Sequence, residues 1–279
     1  MNIILGSGVN ALAAKHILGD DYTIIHAGLS RFYKFNPAPA DNFVIVSDEI
    51  KSLTNYLEPI VGKAVADYKC AWSNSGSIIR GYDSNNSVSW LSKLFGVNIP
   101  MHFDLVLKHR MEFKVFSNRI NQIYSALYDR HKESIDFDLN VEKISSIEPH
   151  KITMSDGRVI EYDKCISTIP LNDLNKLINY DLYLKAIDIS VFRLSTTELN
   201  FEGFNQLWVT DPNIGFYKTQ IVNENEYLFY FNYKIENPGS YINKFIGSFD
   251  LMTGIYFKEA IPAGQLPDLS YLKEYGICL

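Results

Sequence analysis

Cysteine is scarce in this chain. Three occur in 279 residues, Cys70, Cys165 and Cys278, and no two stand at metal-ligand spacing. An odd, scattered set argues against a disulfide framework and predicts a reducing compartment. Long apolar runs are missing too. No segment approaches the ~18 consecutive apolar residues of a membrane span, and the apolar opening lacks a basic leader and a cleavage site. These absences predict a soluble, cytoplasmic protein. Excess positive charge is absent: the net charge is -6, which gives no general electrostatic footprint for nucleic acid. There is no G-x-x-x-x-G-K-[ST] phosphate loop, no H-E-x-x-H and no G-x-S-x-G elbow. The 6 His residues are too scattered to predict a zinc site. Internal repeats and low-complexity tracts are lacking.

What is present is a chain able to bury a large core. Hydrophobic residues make up 47% and aromatic residues 14%, mostly Tyr and Phe, which suits large β-surfaces or a cleft with stacking walls. The length fits two closely packed domains.

Asn2 to Leu5 reads as a short, fully apolar strand. Asn10 to Leu18 follows with Ala11, Ala14, Ile17 and Leu18 on one helical face and Gly19 as the C′ residue. Tyr22 to His26 is a second apolar strand. Strand, glycine turn, helix and strand make a βαβ unit whose strands are buried on both faces. Phe35 to Asn42 is a Pro-rich loop. Ser47 caps a helix carrying Ile50, Leu53 and Leu57, and Ser117 caps another with Ile120, Ile123 and Leu127 in phase. Between them, Gly62 to Met111 reads as irregular, with loops at SNSGS and DSNNS. Three strands follow, Val141 to Ile147, Lys151 to Met154 and Val159 to Tyr162. Asp156-Gly157 supplies the positive φ of the hairpin between the last two. Cys165 to Ile169 is another apolar strand, ended by Pro170, with Cys165 a buried small side chain within it. Tyr183 to Phe257 reads as mostly β.

The turn Gly6-Ser7-Gly8-Val9-Asn10-Ala11 fits G-x-G-x-x-(G/A). The first glycine permits the sharp turn, the second lets a pyrophosphate approach the backbone, and the small third residue lets helix and strand pack closely. The helix N-terminus adds N–H groups and a partial positive charge, a contribution of ~1–2 kcal/mol. A tight βα turn with no ligand would look the same locally; a following strand at the required distance favours the dinucleotide. The acidic residue expected at the end of the second strand is replaced by His26. Its neutral ring has one acceptor nitrogen for a ribose hydroxyl, or it is a plain strand-end residue.

Together, the glycine fingerprint and the stretch from Asn140 to Leu171, with its SDGRVIEYDK and CISTIP segments, resemble the two-domain FAD flavoproteins. These include amine oxidases, protoporphyrinogen oxidase and UDP-galactopyranose mutase. The resemblance covers Met1 to about Ala27 and Asn140 to Leu171. It implies FAD as cofactor, with Gly6, Gly8 and Ala11 facing the pyrophosphate and Val141 at the adenine end through its backbone. It also places Thr168, Ile169 and Pro170 where the returning strand passes the flavin. Core packing is the alternative for Val141 and Ile169. The final segment resembles the approach to the family's last FAD-binding strand. The turn and helix that follow there are expected to be missing beyond Leu279.

The expected fold is therefore α/β. A Rossmann-like parallel sheet with a β-meander (1–61, 112–171 and 258–279) is interleaved with a largely antiparallel substrate domain (62–111 and 172–257). Arg80, Arg110, Arg193, Tyr217 and Lys218 fall in the substrate segments, and cationic side chains suit a phosphate or carboxylate. Of these, Arg110, Tyr217 and Lys218 are the candidate substrate contacts, with a solvated charge or a sheet aromatic as the alternative. Trp72, Trp90 and Trp208 are expected to pack in the core, with stacking on a ligand ring as the alternative. The leading function is an amine-oxidase-like FAD-dependent oxidoreductase that moves a hydride from a small or nucleotide-linked substrate to flavin. The alternatives are a mutase-like flavoenzyme without net redox and a non-catalytic binding protein. The catalytic residue and the oligomeric state are left open.

Overall fold

The computed structural model describes residues 1–27, 55–59, 66–95, 112–115, 120–181, 184–262 and 268–279. The expected loop at 35–42, the caps at Ser47 and Ser117, and Arg110 lie outside the described residues.

Strands β1 (Asn2–Leu5), β2 (Tyr22–His26), β6 (Ile135–Asn140), β10 (Lys164–Ser167) and β16 (Ile277–Cys278) form one sheet. Its order is β16-β10-β1-β2-β6, and every pair is parallel. Alternate residues enter opposite cores, as the pleat requires. Ile4 and Ile24 pack with Ile123 and Leu127 of helix α3 (Ile120–His131) and with Leu57. Ile3, Leu5, Ile25, Cys165 and Ile277 pack on the other face. Both faces are covered, so these strands read as apolar without interruption.

Helix α1 (Val9–Leu18) joins β1 to β2, but its buried side differs from the expected one. Val9, Ala11, Leu12, Ala13 and Lys15 are buried, whereas Ile17 and Leu18 are 42% and 41% exposed. Lys15 turns inward because its ammonium donates to the carbonyls of Tyr22 (2.7 Å) and Asp20 (3.1 Å). It thereby satisfies the αβ turn, and the last apolar residues of the helix are left outside.

A small antiparallel meander covers the second face: β7 (Ile144–Glu148), β8 (Lys151–Met154) and β9 (Val159–Glu161). Gly157 carries the positive φ at the β8–β9 turn. Val141 is not in the first of these strands. Val141–Lys143 forms a single 3-10 turn, because the Asn140 side chain accepts from the Glu142 N–H (2.9 Å) and ends β6 there.

The larger sheet takes in β3 (Ala66–Asn74), β4 (Ser77–Arg80), β11 (Leu184–Ser195), β12 (Gln206–Val209), β13 (Lys218–Asn223), β14 (Glu226–Phe231) and β15 (Asp250–Pro262). Its order is β15-β11-β14-β13-β12-β3-β4, and β5 (Glu112–Val115) also pairs with β3. Within this sheet only the β12–β3 pairing is parallel among the described strands. Within the stretch expected to be irregular, the described residues 66–95 form regular elements. SNSGS is a hairpin turn with positive φ at Ser75 and Gly76, the signature of a two-residue hairpin loop. DSNNS opens helix α2 (Ser84–Phe95), where the Asp83 carboxylate accepts from the Asn86 N–H (2.7 Å).

One face of this sheet holds Trp72, Ile189 and Trp208 beneath Trp90, Leu91 and Leu94 of α2, which places all three tryptophans in the core. The other holds Phe192, Phe216, Phe229 and Phe231, closed by Phe201, Phe245 and Ile242 of the short helix α5 (Gly239–Ile242). The boundary drawn at 112 separates β5 from its partner β3, and the one drawn at 258 falls within β15, which runs on to Pro262.

Candidate cofactor-binding site

The parallel strands β1, β2, β6 and β10 end at Leu5, His26, Asn140 and Ser167, which lie along one edge. The chain leaves β1 toward β2 on one side and returns as β10 on the other. Such a switch point leaves a crevice at the carboxyl ends of the strands, where open α/β sheets bind ligands.

The glycine turn is tied to both neighbours. Gly6 N–H donates to the Ile25 carbonyl (3.0 Å). From the other side, Thr168 donates both its N–H and its hydroxyl to the Leu5 carbonyl (2.9 Å each). Gly6 has φ +116, and a Cβ there would stand 2.3 Å from Thr168 Oγ1. This first glycine is therefore demanded by the crossing of β1 and the segment after β10. Ser7, a position the fingerprint leaves unspecified, accepts from the Ala27 N–H (3.3 Å) and pins the turn to the end of β2.

Gly8 is the N-cap of α1 in extended backbone, with no side-chain cap and no acidic residue in the first helical turn. An acidic residue there would compete with a phosphate, so the turn fits a diphosphate electrostatically. Ala11 is fully buried among Ile4, Leu12 and Ile24. It sets the packing distance between helix and sheet and does not face a ligand. The Ser167 hydroxyl is a second fit observation. It is buried at this edge and makes no hydrogen bond, a cost that an incoming polar group would relieve.

His26 pairs in register with Asn140, and its ring centroid lies 5.2 Å from that of Phe137. Val141 follows in the 3-10 turn, partly buried. Ile169 packs partly on the core, and Pro170 is the N-cap of α4 (Leu171–Leu177). The structure thus brings Gly6, Gly8, His26, Val141, Thr168, Ile169 and Pro170 to the carboxyl edge or to the segment leaving it. Asn140, Ser7 and Ser167 join them; their signal is register, which a linear reading does not carry.

The substrate candidates are less convergent. Tyr217 is buried against Trp90 and Tyr230, and its carbonyl accepts from Trp90 Nε1 (2.7 Å). Lys218 holds its ammonium 3.8 Å above the Tyr230 ring, whose hydroxyl donates to Gln220 (2.9 Å). Arg193 is ion-paired with Glu226, and Arg80 with Glu202 at 3.6 Å. Lys93 of α2 went unnoticed in the sequence. Burial lowers its pKa to about 8, partly opposed by Asp211, and its ammonium donates to the Asp211 carbonyl (2.7 Å). Cys165 is buried in β10, and burial pushes its thiol well above the ordinary range. Among the described residues, no cluster of His, Cys, Asp and Glu could hold a metal, and no helix is long and apolar enough to cross a membrane.

No protein-family model matches the chain, and no curated protein matches it at a significant level. Solved structures do match. A reduced UDP-galactopyranose mutase superposes with TM-score 0.63 and 13% identity over 99% of this chain and 87% of its own. A Pyrococcus furiosus structural-genomics target gives 0.57 and 12% over 92% and 87%. Glycine oxidase from Bacillus cereus gives 0.51 and 10% over 93% and 82%. The chain thus shares the two-part α/β fold of these structures: a Rossmann-like parallel sheet with a meander, joined to a largely antiparallel sheet. At these identities the likeness establishes the fold.

Proposed function

We propose that this chain is an FAD-dependent enzyme of the oxidoreductase type. The observation that carries the reading is the convergence at the switch point. An uncapped helix N-terminus, a glycine turn clasped by Thr168 and a buried hydroxyl at Ser167 meet there on a flavoprotein fold. Gly8 and the first turn of α1 would hold the diphosphate. His26 and the backbone of Val141 would serve the adenosine end. Thr168, Ile169 and Pro170 would border the ring. When bound, the flavin would supply the hydride-accepting chemistry, and the protein positioning and electrostatics. The segments 62–111 and 172–257 form the proposed substrate domain, with Arg110, Tyr217 and Lys218 as candidate contacts. Lys218, whose ammonium lies over the Tyr230 ring, is the cation proposed for an anionic group.

A mutase-like reaction on a nucleotide sugar, without net redox, is the second reading. The superposition on the mutase over 99% of this chain supports it. The test begins with colour: purified or FAD-reconstituted protein should absorb near ~450 nm, and Gly8→Val should lose that band while its circular dichroism stays unchanged. Protein that takes up no flavin would return the chain to a non-catalytic binding role. Anaerobic bleaching by members of an amine panel supports the oxidase. Turnover of a sugar nucleotide without added oxidant supports the mutase.

A further inference from the structure

A cavity of about 400 Å³ opens beside α4 and is lined by Asn172, Asn175, Lys176, Asn179, Tyr180 and Asp181, none of which belongs to the glycine turn. The sequence builds it in a definite way. Residues 172, 175, 176 and 179 recur at i, i+3, i+4 and i+7, so they share one face, while Leu174 and Ile178 enter the core. The helix then ends on Asn179 with φ +52. Tyr180 N–H returns to the Asn175 carbonyl (2.9 Å) and Asn179 N–H to the Lys176 carbonyl (3.2 Å). That pair of bonds is a Schellman motif, with asparagine in the left-handed position that usually takes glycine. It folds Tyr180 back over the end of the helix.

The decisive feature is Asn175, which is 3% exposed. Its Oδ1 accepts from the Tyr271 hydroxyl (2.7 Å), which fixes the amide, and its Nδ2 is buried with no hydrogen-bond partner. An unpaired buried donor of this kind costs free energy until something accepts from it. Tyr271 also stacks on Tyr180, with centroids 3.8 Å apart and planes within 6°. One face of Tyr180 is thereby backed, and the ring, still 41% exposed, is held as a plate.

We infer that this cavity is a binding site for a neutral, polyhydroxylated ligand, a pyranose sugar. Amide side chains offer a donor and an acceptor side by side, which matches hydroxyls that both give and accept. Lys176 is paired with Asp173 (3.1 Å) and Asp181 adds a negative charge, so the lining carries no surplus positive charge to select an anion. A fixed aromatic plate matches the C–H face of a pyranose. The volume lies at the lower end of the range of about 300–1,000 Å³ for small-molecule sites.

The test uses the full chain, with and without FAD, in saturation-transfer NMR. The probes are methyl α-D-glucopyranoside, methyl β-D-galactopyranoside and lactose, with adenosine and inorganic phosphate as competitors. A saturable signal on pyranose C–H protons is expected, independent of FAD and intact in Gly8→Val. Asn175→Asp keeps the acceptor for Tyr271 and removes the free donor, and it should weaken binding by about tenfold or more. Tyr180→Ala, at an exposed position, should do the same without affecting folding. The idea fails if none of the three sugars gives a saturable signal, if both variants bind as the parent does, or if adenosine or phosphate displaces the sugar.

Discussion

Gly6 shows how one missing methyl group serves the backbone. A Cβ would meet Thr168 Oγ1 at 2.3 Å, on a φ of +116 that L-residues avoid. Gly6→Ala should therefore lose about 2–4 kcal/mol from strain and crowding together, read from urea midpoints. Adding Thr168→Ala removes the clash but not the strained φ, so the double variant should recover part of the loss. Wild-type stability in Gly6→Ala would refute the crossing described here. His131 makes a pH prediction. It is buried, and its Nε2 lies 3.1 Å from Nδ1 of His16. Burial first, then His16, Lys15 and Arg130, lowers its pKa from 6.5 to about 4, with Asp20 opposing. Below pH 6.5 the unfolded chain binds a proton that the folded chain refuses until near pH 4. Stability should therefore fall as pH drops through that window. His131→Gln should flatten the slope of urea midpoint against pH between those limits.

Elements reveal what a linear reading can reach. The β1–α1–β2 unit, the β8–β9 turn and the buried Cys165 strand were legible because each follows from local pattern and turn chemistry. Ser75-Gly76 and Asp83 read as loop because hairpin turns and helix caps use the same small polar residues as coil. The parallel pairing of β12 with β3 joins segments far apart in the chain, which no periodicity announces. Part of the proposed site was legible for the same reason: the glycine turn and Thr168 are motifs, whereas Ser7, Asn140 and Ser167 matter through register. Lys15 is the instructive miss. A lysine at 2% exposure contradicts composition rules, yet here it caps the αβ turn through two carbonyls. Lys15→Met should preserve bulk and leave those carbonyls unpaired, lowering stability by about 2–3 kcal/mol. Hydrogen exchange should locate the loosening at the end of α1 and the start of β2. A uniform rise in exchange instead would mean that Lys15 acts through general packing.

At the scale of the whole molecule, cofactor and fold are linked by mass action. The proposed site gathers backbone from β1, β2, β6 and β10, segments that meet only in the folded sheet, so FAD should bind the native chain and not the unfolded one. FAD at a hundredfold excess over its Kd should then raise the unfolding free energy by about 2.7 kcal/mol. The increment should vanish in Gly8→Val, whose side chain would occupy the approach of the diphosphate. It should persist in Asn175→Asp, which leaves the glycine turn unchanged. A stabilisation by FAD that survives Gly8→Val would mean that the dinucleotide sits elsewhere. In that case the clasp of Gly6 by Thr168 would remain as a purely structural joint between β1 and β10.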